Sequence, residues 1–237
     1  MTGGGGKRSF AALRMTGGDL LPLFAAPLLY GEIPALIASV GSTYHDVTIQ
    51  RWELALFGSQ PAHTLAARLP FLPLSELLHA GYLAYYGVIF LPPLLLLANG
   101  RRRAFAETVL ALTVTCTLCW VIFVAMPVEG PRYRFNAPPD VPDGPVRRLV
   151  VGLLAAGSSR GAAFPSSHMA VSVAMAVTAL RWQRRMGWAV AVIAVSIGFG
   201  AVYGGFHYGV DMIAGAGLGA VTSLGVIAAF KNGAAAE

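Results

Sequence analysis

His207 and Asp211 stand four residues apart, a spacing that puts two side chains on one face of a helix about one turn apart. A carboxylate there accepts a hydrogen bond from one imidazole nitrogen, fixes the tautomer, and leaves the other nitrogen as a nucleophile or base. Phe164-Pro165-Ser166-Ser167-His168 has the form of a helix start, with Pro165 near the first helical position and hydroxyl residues beside it. Backbone N–H groups at such a terminus make an anion site, and His168 stands where it can protonate an oxygen held there. Arg132, in Val128-Glu129-Gly130-Pro131-Arg132, adds a planar, permanently charged fork suited to two phosphate oxygens. Each part alone has an ordinary reading: a self-satisfied His–Asp pair, a helix cap, a headgroup anchor for which Arg134 serves as well. Together they point to phosphoryl transfer, in which catalysis is largely positioning and charge stabilisation.

The composition says what must position these residues. Of 237 residues, 56% are hydrophobic and 12% charged, against about 25% charged in an ordinary globular domain. Such a chain belongs in a bilayer. Its net charge of +6 rests on 17 Lys and Arg, with no basic face dense enough to track a nucleic acid. Cys116 and Cys119 fall inside an apolar run, without the strand and turn of a redox motif, and read as membrane-core thiols.

Apolar stretches at Leu20–Val40, Leu77–Leu97, Phe105–Met126, Ser166–Leu180, Met186–Tyr203 and Tyr208–Phe230 approach the roughly 20 residues that cross a bilayer. The first contains three prolines and Glu32; the fourth is short. The expected fold is an all-α integral membrane bundle of six transmembrane helices. Residues 1–19 form a tail, 20–231 a single transmembrane domain, and 232–237 a second short tail. Gly3–Arg8 is no phosphate-binding loop, because Arg8 follows Lys7 where Ser or Thr is needed, and the first run is too long for a secretory signal.

Three basic groups, Lys7 with Arg8 and Arg14, Arg101 to Arg103, and Arg181 with Arg184 and Arg185, fall on one side by parity, which places both termini in the cytoplasm. Arg132, Ser166, Ser167, His168, His207 and Asp211 then share the outer surface of the cell membrane. Arg134, Arg147, Arg148 and Arg160 also lie outside, against the positive-inside rule, and require a reason. Two outer segments, Asp46–Leu69 and Gly144–Gly161, suit interfacial helices, with Pro138, Pro139, Pro142 and Pro145 keeping the approach to the second irregular.

Other patterns weigh less. Gly157-Ser158-Ser159-Arg160-Gly161 matches the G-x-S-x-G of serine hydrolases, but no strand precedes it. His168, His207 and Asp211 lack the spacing of a zinc motif. Gly215, Gly217, Gly219 and Gly225 read as small residues that let helices approach closely. His79, Tyr82, Tyr85 and Tyr86 form an aromatic cluster suited to an interfacial belt or to a substrate headgroup. No internal repeat of the kind many transporters carry is evident.

Phe164-Pro165-Ser166-Ser167-His168 and Tyr203-Gly204-Gly205-Phe206-His207-Tyr208-Gly209-Val210-Asp211 resemble two signature motifs of the type 2 phosphatidic acid phosphatase superfamily. Where that family's first signature carries a Lys this chain has Ala125, and where its third carries an Arg this chain has Ala201. Gly130-Pro131-Arg132, with Leu78-His79 and Tyr85-Tyr86, looks more like the inositolphosphorylceramide synthase branch and its bacterial relatives. The resemblance implies His207 as nucleophile, Asp211 as its orienter, His168 as general acid, and Arg132, Ser166 and Ser167 as phosphate ligands, with no metal or other cofactor. Arg134 and Arg160 become candidates to replace the missing cations.

The expected activity is a lipid phosphatase or phosphotransferase working through a phosphohistidine. Its substrate would be a lipid phosphate or a polyprenyl diphosphate, and its acceptor water or an alcohol. A catalytically silent lipid- or phosphate-binding protein, or a small transporter, is the alternative; polar groups gathered at one surface rather than at midplane argue against transport. A serine hydrolase using Ser159 ranks third.

Overall fold

The computed structural model describes residues 17–136 and 141–235. The tail carrying Lys7, Arg8 and Arg14, and Pro138 and Pro139 of the irregular stretch, lie outside the described residues. Helices follow one another as α1 (Gly17–Tyr30), α2 (Ile33–Val40), α3 (Asp46–Phe57), α4 (Pro61–Arg68), α5 (Leu72–Leu83) and α6 (Tyr85–Ala98). They continue as α7 (Arg102–Ala125), α8 (Pro131–Arg134), α9 (Pro145–Gly157), α10 (Ser167–Trp182), α11 (Arg184–Tyr203) and α12 (Gly209–Ala235). Among the described residues there is no strand, only an isolated parallel bridge between Val128 and Ala162.

Among the described residues three helices are long and apolar enough to cross a membrane: α7, α11, and α12 from Gly209 to Asn232. Two further pairs qualify if each bent pair is one span, α1 with α2 (bent by 56°) and α5 with α6 (bent by 41°). The count is therefore three to five. The remaining expected span, α10, has 16 residues and is enclosed by protein, packed against α6, α7, α11 and α12. Its buried residues include Ala170, Ser172, Ala174, Ala176 and Ala179 beside Val171, Met175 and Thr178, and the small ones let neighbouring backbones come close.

That closeness depends on glycines in α12, but not on all four. A Cβ at Gly215 would sit 2.4 Å from the Ser166 carbonyl oxygen, and one at Gly219 only 2.0 Å from that of Ala170. Gly217 and Gly225 face open space. The α10–α12 contact is thus backbone against backbone, and it fixes where the starts of the two helices lie.

Beyond the bundle end, α3 is inside out. Asp46, Ile49 and Glu53 make its buried face, both carboxylates fully enclosed, while Trp52 is 47% and Leu56 58% exposed. A helix in water would do the reverse. Its exposed face carries Trp52, Leu54 and Leu56, and its inward face holds polar groups for the loops beneath. The segment expected to be interfacial, residues 46–69, is thus divided between α3 and α4, and the second such segment contains α9.

At the opposite end, Trp182 donates to Glu107 through Nε1 at 2.8 Å, and Arg181 lies 3.4 Å from the same carboxylate. Arg101 donates to the Trp182 carbonyl at 2.5 Å and Arg103 to that of Phe230 at 2.6 Å. This basic group thus ties α7 to the ends of α10 and α12. α10, in which His168 is the second residue and Trp182 the last, separates this group from His168 by about 21 Å.

Candidate functional site

The two signature loops and the Arg132 loop meet at one end of the bundle, sewn together by backbone bonds. Val128 donates to the Gly161 carbonyl at 2.9 Å, and Ala163 donates back to Val128 at 3.0 Å, so the Arg132 segment lies beside the loop leading to His168. Ser166 N–H donates to the Asp211 carbonyl at 3.0 Å, joining the starts of α10 and α12. Gly130 has a φ of 97°, a left-handed conformation that favours glycine, at the turn into α8.

His207 is buried, and its Nδ1 lies 3.0 Å from the Ala163 carbonyl oxygen and 3.4 Å from Asp211 Oδ2. Both oxygens only accept, so Nδ1 carries the proton; in the neutral ring Nε2 then keeps a free electron pair. Asp211 is itself held, its Oδ2 accepting from the Tyr208 amide at 2.8 Å, while its Oδ1 has no hydrogen-bond partner. Ala201, in the place of the family's arginine, is fully buried, and its carbonyl accepts from Phe206 and His207 at 2.9 and 3.3 Å.

His168 faces His207 with ring centroids 6.0 Å apart. Tyr82 stacks on His168 at 5.0 Å with its hydroxyl 3.3 Å from Nε2, and Tyr85 packs on the same ring at 4.2 Å. Nδ1 of His168 has no protein partner. Two tyrosines of the expected aromatic cluster therefore hold a site histidine. The fourth member, His79, turns away, its Nδ1 2.6 Å from the Ser75 carbonyl.

Both histidines, Arg132 and Ser167 line a cavity of about 200 Å³. From that polar end it runs toward Ile89, Phe90, Trp120, Leu153 and Leu154. Tyr86, half exposed, also lines it. Ser166 is not part of this wall. It caps α10, with its Oγ accepting from the Met169 amide at 3.3 Å, and Pro165 precedes the cap rather than opening the helix.

The arginines expected on the outer side have partners in the structure. Arg132 reaches the cavity, its guanidinium bonded to the hydroxyls of Ser158 and Tyr133 and 4.6 Å from the Tyr133 ring centre. Arg134 pairs with Glu129 at 2.8 Å, and Arg160 donates to the same carboxylate at 2.6 Å through Nε. That bond and the charge of Glu129 raise the pKa of Arg160 further. Arg147 and Arg148 pair with Asp143 at 2.9 and 3.5 Å. Neither Arg134 nor Arg160 lines the cavity; among the described residues Arg132 is the one arginine that does.

The other patterns resolve as follows. Ser159 donates to the Tyr30 carbonyl at 2.6 Å with no strand before it, so no nucleophile elbow forms. Cys116 and Cys119 are free and buried in α7. Among the described residues no three His, Cys, Asp or Glu side chains gather as a metal-ligand set.

Three buried or half-buried carboxylates near the site were not anticipated. Asp46 accepts from the Glu129 and Gly130 amides, both at 3.0 Å. Glu53 accepts from the Gly209 and Val210 amides, both at 2.9 Å. Glu76 accepts from the Val146 and Arg147 amides at 2.9 and 3.0 Å. A signal existed, since Asp46, Gln50 and Glu53 fall on one helical face, but its meaning depends on which loops fold against that face.

No curated protein and no solved structure matches the chain. The family model described as the PAP2 superfamily does match it, over residues 48–225, a stretch that contains Arg132, both histidines and Asp211. On that match, and with the two signature loops folded into one cavity, the chain belongs to the PAP2 superfamily.

Proposed function

We propose that the protein is a membrane-embedded lipid phosphatase or phosphotransferase in which His207 forms a covalent phosphohistidine. The observation that carries this reading is the hydrogen bond from His207 Nδ1 to a backbone carbonyl, which reserves Nε2 for attack beside His168 and Arg132. The Nε2 electron pair attacks phosphorus as the bond to the departing oxygen breaks, and His168 gives that oxygen a proton. Arg132 and Ser167 hold the equatorial oxygens. Water or an alcohol then attacks the phosphohistidine, giving its proton to His168 as the P–N bond breaks, and the enzyme returns to its starting state. Ser166 serves by capping α10 and aiming its first turn.

The cavity favours a particular substrate charge. Among the described residues one arginine lines it, together with Glu129, which engages Arg134 and Arg160, so a singly charged phosphodiester matches the site better than a phosphomonoester dianion or a diphosphate. Its apolar continuation suits an acyl or prenyl chain. We place the site at the outer membrane face, with α10 as a sixth span and both termini cytoplasmic, on the expected cytoplasmic side of the three basic groups, Lys7 with Arg8 and Arg14, Arg101 to Arg103, and Arg181 with Arg184 and Arg185.

The test is turnover by purified protein of phosphatidic acid, a polyprenyl diphosphate, and phosphatidylinositol with a ceramide acceptor, reading free phosphate and new lipids. Wild type is expected to convert at least one, and His207→Ala none. Full activity in His207→Ala overturns the assignment, and vanadate binding without turnover favours a silent binding protein.

A further inference from the structure

α3 reaches all three loops of the site. From its first turn, Asp46 takes the Glu129 and Gly130 amides, lies 3.4 Å from Arg134, and accepts from the Tyr208 hydroxyl at 3.2 Å. Two turns on, Glu53 takes the Gly209 and Val210 amides, the first two residues of α12 after His207 and Tyr208. Between them, Trp52 meets Phe164, in the loop before His168, with ring centroids 5.8 Å apart. Gln50 donates to the Tyr208 hydroxyl at 3.0 Å, tying the middle of the helix to the nucleophile loop.

We propose that Asp46 and Glu53 are positioning residues that set the Arg132 loop and the His207 loop at a fixed separation, with α3 as the rigid spacer between them. The proposal rests on the phosphotransfer reading of the site. Each carboxylate offers two oxygens to two successive amides, a bidentate grip that fixes both distance and orientation. A helix keeps residues seven apart on one face about 10 Å from each other, so the two grips cannot drift independently. Both carboxylates are fully buried, and the bonds are 2.9 to 3.0 Å long. Capping alone would not require two grips on one helix. Their shared scaffold makes the phosphate-binding arginine and the nucleophile a unit, although 75 residues of sequence separate them.

The two ends have different kinetic consequences. Asp46 acts on the loop that binds, and Glu53 on the loop that attacks. Asp46→Asn and Glu53→Gln each keep their shape but turn an amide nitrogen toward a backbone N–H, losing an acceptor. Asp46→Asn is expected to raise KM about tenfold with kcat little changed, and Glu53→Gln to lower kcat about tenfold with KM little changed. Both are expected to weaken orthovanadate binding, measured by calorimetry on the full-length protein in lipid nanodiscs. Where a carboxylate variant does not fold, Tyr208→Phe, which removes only the oxygen bridging Asp46 and Gln50, is expected to weaken vanadate binding about threefold.

Folded variants with wild-type kinetics and vanadate affinity overturn the bracket. So does an equal fall in kcat and kcat/KM from both ends that merely tracks lost thermal stability. Wild type that binds vanadate, loses it in the variants and turns over no lipid phosphate refutes the functional reading while leaving the bracket standing. Wild type that turns over a lipid phosphate, beside unaffected variants, refutes the bracket alone.

Discussion

The Nδ1 of His207 lies closer to the carbonyl oxygen of Ala163, at 3.0 Å, than to any side chain that holds it. The tautomer required of a nucleophilic histidine is therefore set by the backbone, with Asp211 as second acceptor at 3.4 Å. Replacing Asp211 by Asn leaves that first bond intact. We expect Asp211→Asn to lower kcat about 10- to 100-fold, as loss of an orienting partner does, and not the roughly 10⁴-fold that accompanies a reversed tautomer. His207→Ala is expected to lose all turnover. Steady-state assays of the two variants side by side decide it: equal losses would make Asp211 the main orienter.

In the proposed mechanism Arg132 supplies both charge and geometry. Arg132→Lys keeps the charge but loses the fork, and is expected to retain partial activity; Arg132→Ala is expected to lose about 10²- to 10³-fold in kcat/KM. With one cavity arginine, kcat/KM for a phosphodiester lipid should exceed that for the phosphomonoester on the same diacylglycerol. A reversed ratio, measured in mixed micelles, removes the argument from charge.

The glycines of α12 divide into two kinds. Gly219→Ala and Gly215→Ala drive a methyl into the carbonyls of Ala170 and Ser166, and should destabilise the protein by about 1–3 kcal/mol as overpacking does. Gly217→Ala and Gly225→Ala meet nothing within 4 Å and should be neutral or slightly stabilising. Thermal midpoints in one detergent check this. Since Gly215 sits against the Ser166 carbonyl, its variant should also lose activity beyond its loss of stability.

Burial pushes the Glu53 carboxyl above the usual carboxylate range, and the Gly209 and Val210 amides offset only part of that rise. The folded protein therefore binds this proton up to a higher pH than the unfolded chain does. Stability from the group is present below the unfolded value and lost as pH rises through the folded one. We expect the thermal midpoint of wild type to fall relative to Glu53→Gln as pH rises through that window. A constant difference between the two proteins would remove the burial account.

The chemistry was more legible in the sequence than the support for it. His168, His207, Asp211 and Arg132 were recognisable because their spacing relative to apolar runs placed them at the ends of helices, and the structure gathers them at one end of the bundle. Ser166 looked like a ligand because caps and anion sites share residue types; which one a serine becomes depends on where its neighbours' amides point. The Ala163 carbonyl was invisible, since every residue carries one. Asp46 and Glu53 lie in a segment whose sequence suits an interfacial helix, and only the fold shows their side facing inward. Arg134 and Arg160 looked available until Glu129 was seen between them.

Under the proposed insertion, the inverted surface of α3 makes lipid a working part of the enzyme. Trp52, Leu54 and Leu56 project outward while the same helix grips two catalytic loops, so lateral pressure in the headgroup layer bears directly on the separation of Arg132 from His207. Detergents that wet this helix poorly should silence the protein while its circular dichroism is unchanged, and restored bilayer should bring turnover back. The annulus of lipid then sets the catalytic gauge from outside, as the carboxylates set it from within.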